Sequence, residues 1–199
     1  MSQQFPKNPQ TESLTRPQIL IAIAVTALIL LAIAKLWLYF SSVEQIPLTW
    51  NPIALPIGIG VGLTISLASA IVYRLWPSYR RSADVYLELI LTPLVWPDLI
   101  WLGLLPGMSE ELLFRGIMLP AFGLNAIGLM FSSVFFGVLH LSGREQWPYM
   151  LWAILVGGIL GAIALWSGNL LVPIVAHMSA NWISSSLWKL NRFGKIKSE

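Results

Sequence analysis

Cysteine is absent from this 199-residue chain. Disulfides, thiolate nucleophiles and Cys-based zinc sites are excluded, and the redox compartment cannot be read. Charge is scarce: 11% of residues are Asp, Glu, Lys or Arg, against about 25% in an ordinary soluble domain. The net charge is a modest +3. Basic residues lie at the ends and in one loop, which suits membrane lipids with anionic headgroups as partners. No Lys/Arg face with interleaved aromatics occurs, so no nucleic acid is expected. A fixed-period repeat and a low-complexity tract are also missing. Only two histidines are present, and neither lies in an HExxH pair, the usual zinc-protease signature.

What is abundant is apolar surface. Hydrophobic residues make up 56% of the chain and the mean hydropathy is +0.73, which predicts a membrane protein. A spanning helix needs about 20 mostly apolar residues. Residues 1–16 form a polar N-terminal tail. Residues 17–84 hold two transmembrane helices, 17–40 and 52–73, the first too long for a signal peptide. An interfacial helix is expected near 84–95. A span from about Pro97 to 121 follows, with a kink at Pro106–Gly107. Further spans are expected at 123–143 and on either side of the turn "SGN" (167–169). The fold class is therefore all-α, a polytopic transmembrane bundle of about six spans with a short interfacial helix. The core is 85–190, and 191–199 is a basic C-terminal tail. The loop arginines Arg74, Arg80, Arg81 and Arg144 and the tail lysines place both termini in the cytoplasm by the positive-inside rule.

Against that background "GMSEELLFRG" (107–116) stands out. A charge inside a bilayer costs about 2.5–3.5 kcal/mol on insertion scales, and three fall here within six positions. Glu111 and Arg115 are four apart with the acid first, the favourable order for a helical ion pair. Glu110 is rotated by about 100° and faces a different neighbour. The two histidines also lie in apolar runs. His140 ends "FFGVLH", one turn after Phe136. His177 opens "HMSAN", one turn before Asn181. One convergent site from three helices would hold Glu110, His140, His177 and Asn181. A carboxylate with an imidazole can deprotonate water, and a second imidazole with a carboxamide can stabilise an oxyanion. With spans laid end to end, His140 falls near the inner end of its helix and His177 in the outer half of its own. Convergence then needs tilted helices or a displaced span end. The glycines of "LVGGILGAIAL" (155–165), Gly157 and Gly161 among them, predict a close helix contact.

These three clusters match EExxxR, FxxxH and HxxxN in order. Over roughly 85–190 the chain resembles the CPBP family, the CAAX proteases and bacteriocin-processing enzymes related to the type II CAAX prenyl protease. The resemblance implies an intramembrane endopeptidase acting on a membrane-embedded or lipid-anchored peptide or protein. It implies Glu110 and His140 as the water-activating pair and His177 with Asn181 as the oxyanion site. Glu111, Arg115 and Phe136 are supporting. A glutamic, cofactor-free mechanism is the expectation. Zn²⁺ on Glu110, His140 and His177 is the alternative, with an open position for water. The competing function is non-enzymatic: a buried Glu/His/Arg network for proton or ion movement, or for assembly.

Overall fold

The computed structural model describes residues 14–196, with side chains to Arg192. Among them there are helices and connecting segments and no strand. In chain order the helices are α1 (Arg16–Phe40), α2 (Ala54–Leu75), α3 (Pro77–Leu91), α4 (Leu99–Glu111), α5 (Leu119–Phe122), α6 (Ala126–Val138), α7 (Trp147–Ser167) and α8 (Leu171–Ile196). A π-helical stretch, Leu112–Met118, joins α4 to α5. This is a helical membrane bundle. The expected tail 1–16 falls outside the described residues except for Leu14, Thr15 and Arg16. The expected tail 191–199 is helical as far as Ile196, as the end of α8.

Local chemistry sets the helix ends. Gln18 accepts from the backbone N–H and the hydroxyl of Thr15 and opens α1. Pro77 and Pro148 occupy first-turn positions in α3 and α7, where a missing N–H costs nothing. Asn125 caps α6 by accepting from the N–H groups of Ile127 and Gly128 at 2.8 and 3.2 Å. Gly168 closes α7 in the left-handed region at φ 58°, and α8 starts at Leu171. The predicted turn at 167–169 is thus formed.

Among the described residues, three helices are long and apolar enough to cross a membrane: α1, α2 and α7 with its preceding turn. A fourth span arises if α3 and the helix from Trp96 to Phe122 count as one, bent by 108°. Six were expected, and two differences account for most of the gap. Residues 123–143 hold only the 13-residue α6, about 20 Å long at 1.5 Å per residue, short of a hydrocarbon core of about 30 Å. The long α8 interrupts its apolar face with Asn181, Lys189, Asn191 and Arg192. The surface helix is also longer than expected and begins at Pro77. The sharp bend falls at 92–95, whereas the helix continues through Pro106.

The bend is held by charge. Arg16 of α1 donates to both oxygens of the buried Asp98 at 2.8 and 2.7 Å, and Asp98 accepts from the Val95 N–H. Lys189 of α8 donates to the carbonyls of Leu91 and Leu94. Four elements are thereby tied at one end of the bundle. At the other end, the extended segment after α1 docks onto the π-helical stretch. Ile46 is buried and its N–H donates to the Gly116 carbonyl at 3.1 Å. Asn169 exchanges hydrogen bonds with the Thr49 backbone. The α2–α8 and α6–α7 contacts are close because glycines line them. Gly58 and Gly62 face Val175 and Ser179, while Gly157 and Gly161 face Ser133 and Leu129. The second pair is the contact expected from the sequence.

Candidate active site

The "EELLFR" stretch straddles the change from α4 to the π-helical turn, a feature frequent at functional sites. Glu111 and Arg115 are both fully buried and paired at 2.7 Å. Arg115 also donates to the Gly157 carbonyl at 3.0 Å and lies over the Phe136 ring, 4.3 Å from its centre. The same Glu111 oxygen accepts from His177 Nδ1 at 2.9 Å. One carboxylate thus joins the EExxxR helix to α8. The sequence points to Glu111 as a supporting residue paired with Arg115. Its contact with His177, 66 residues away, is what the sequence did not show.

Glu110 points elsewhere, as the 100° rotation requires. It lines a cavity of about 1060 Å³ together with His140, His177, Asn181 and Phe136. The four residues proposed from the sequence therefore share one cavity. Glu110 Oε2 is buried there and has no hydrogen-bond partner among the described residues. Walls come from α2, α3, α4, α6, α7 and α8, and α3 lies across one side.

Phe136 brings the histidines together. Its ring centre is 4.8 Å from that of His140 and 5.8 Å from that of His177. α6 ends at Val138, so His140 lies in the turn just past a short helix and not inside a span. The histidine tautomers follow from their partners. His140 Nδ1 lies 2.8 Å from the Phe136 carbonyl. A carbonyl only accepts, so Nδ1 carries the proton and the neutral ring keeps Nε2 as an acceptor. His177 Nδ1 likewise donates to Glu111, and as imidazolium the ring also donates from Nε2.

The metal alternative can be tested against this geometry. A catalytic zinc takes about three protein ligands and an open position. Among the described residues no three His, Asp or Glu side chains converge to hold an ion. As placed, Glu110, His140 and His177 do not form a zinc tripod.

Residues 92–183 match the family model described as type II CAAX prenyl endopeptidase Rce1-like. That segment contains all three motifs and every residue named above as part of the site. Over that segment the chain is similar to the family. A protein of Bacillus subtilis (strain 168), "Uncharacterized protein YpbD", is 29% identical over 145 residues, covering 73% of this chain and 69% of its own length. No solved structure matches. The matched family is described as an endopeptidase family, and the apolar helices fit an integral membrane protein. The aromatic wall of the cavity escaped the sequence reading. Tyr79, Tyr86, Tyr149 and Trp152 line the same space, and no spacing or motif in the sequence singles them out.

Proposed function

We propose that the protein cleaves a peptide bond in a membrane-embedded or lipid-anchored substrate by direct attack of water, with Glu110 as the general base. The observation that carries this reading is the buried, unpartnered Glu110 oxygen in a cavity shared with both histidines and Asn181. His140, with Nδ1 held by the Phe136 carbonyl, offers Nε2 as a second acceptor for the water. Glu110 takes one proton from it as oxygen attacks the scissile carbonyl. The carbonyl electrons move onto oxygen, where Nε2–H of the His177 imidazolium and the Asn181 amide donate to the negative charge. Collapse of the adduct breaks the C–N bond, and Glu110 returns its proton to the leaving amine. Glu111 and Arg115 position His177. No metal takes part in these steps. Both termini face the cytoplasm, since the basic loops then lie inside.

The test is to express the wild type, Glu110→Gln, His140→Ala and His177→Ala in membranes and compare new peptide termini by mass spectrometry. Fragments produced by the wild type should vanish in Glu110→Gln, whose loss is expected to exceed about 100-fold, the usual lower bound for a general base. They should persist with a zinc chelator present. Fragments undiminished in Glu110→Gln would reject the reading. Chelator-sensitive cleavage would reject its metal-free form.

A further inference from the structure

Beside His140, the cavity wall is a stack of phenol rings. Tyr149, in the first turn of α7, lies 4.6 Å from Tyr86 at 26° and 6.2 Å from Tyr79 at 3°, centre to centre. On its other side it meets His140 at 6.3 Å. The stack is braced from both ends. Trp76, at the start of α3, contacts Tyr79 and Trp147. Ser82 of α3 donates to Gln146, just before α7, at 2.6 Å. Tyr149 is therefore held by rings on three sides, with little freedom to turn.

Its hydroxyl has no protein partner among the described residues, and the same holds for Tyr86. Both side chains are half-buried on the cavity wall, and a Tyr hydroxyl in such a place ordinarily finds a partner. The cavity holds a matching group: a carboxylate oxygen of Glu110 that is buried and equally unpartnered. A phenol is a donor and the carboxylate is an acceptor, so the two halves of one polar site face the same space.

We propose that Tyr149 is a positioning residue of the water site. Its hydroxyl donates toward Glu110, through the water held between them, and fixes the carboxylate and the nucleophile against His140 Nε2. Stacking on Tyr79 and Tyr86 holds the phenol in place before substrate arrives. The inference rests on the hydrolytic reading above and adds to it a residue outside the three motifs. It also gives α3 a part in the reaction, because Tyr79 and Tyr86 are α3 side chains.

The experiment uses the full-length protein in liposomes and, as substrate, a synthetic peptide spanning a cleavage site found in the membrane comparison. Tyr149→Phe removes the hydroxyl and keeps the ring, so the stack and the fold are retained. The expected result is a fall in kcat of roughly 10- to 100-fold, the range for losing a hydrogen bond to a charged group. KM should stay within about twofold, as for an interaction made to the reacting groups and not to bound substrate. The thermal midpoint should be unchanged. Tyr149→Phe with wild-type kcat overturns the proposal, as does a loss of kcat that tracks a lowered thermal midpoint. Glu110→Gln run in parallel separates the two readings. If it is inactive while Tyr149→Phe is fully active, only the tyrosine proposal fails. If Glu110→Gln is fully active, or the wild type yields no fragment, both fail.

Discussion

Arg115 illustrates how a full charge is kept inside a bundle of this kind. It is wholly buried, paired with Glu111, bonded to the Gly157 carbonyl and set over the Phe136 ring. Replacing it with an apolar residue removes these contacts and leaves Glu111 charged and confined. Breaking a buried pair from one side costs about 3–5 kcal/mol, whereas replacing both partners is often nearly neutral. Arg115→Met should therefore lower the unfolding midpoint strongly in detergent, and Arg115→Met with Glu111→Gln should recover part of it. A double variant no more stable than Arg115→Met would show that the pair is not the source of the cost. The Glu111–Arg115 pair was legible in the sequence because both groups lie on one helix, where spacing fixes geometry. The His177 contact was not, because it depends on how α4 and α8 are placed.

At the level of elements, close approach decides where the catalytic side chains sit. A Cβ added at Gly62 would lie 2.6 Å from Ser179 Cβ and 2.7 Å from the Ala176 carbonyl. Neither can move without moving α8, which carries His177 and Asn181 between and beyond these contacts. Overpacking of this kind costs about 1–3 kcal/mol. Gly62→Ala should lower both the unfolding midpoint and the cleavage rate, while Gly60→Ala, whose added carbon meets nothing within 4 Å, should leave both unchanged. Equal behaviour of the two variants would remove the α2–α8 contact from the account. The Gly157–Gly161 spacing was readable because the small residues sit one turn apart in a charge-free run. The lengths of α6 and α3 were not, since apolar composition fixes where a helix can be buried and not where it stops.

Considered whole, the molecule is a set of helices around one cavity, latched by Arg16–Asp98 and Lys189 at one end and by the segment around Ile46 at the other. The cavity should admit water, because its wall includes Ser69, Asp84, Asn181 and Ser184. The absence of cysteine makes this directly measurable. Ser184→Cys, on the cavity wall, should react with a water-soluble maleimide in intact membranes much faster than Leu28→Cys on the exposed apolar face of α1. Equal rates would argue against an aqueous site. Arg144→Cys in the same background reports which side of the membrane its loop occupies.

By itself the sequence determined the class of protein, the three motifs and the identity of the polar groups. Burying so few charges among so many apolar residues is costly enough to mark them wherever they fall in the chain. Tertiary structure decided what those groups touch. It set Glu111 against His177, brought both imidazoles to Phe136, and walled the cavity with tyrosines from α3 and α7. Such contacts join residues tens of positions apart and are fixed by packing between helices, which no local spacing encodes.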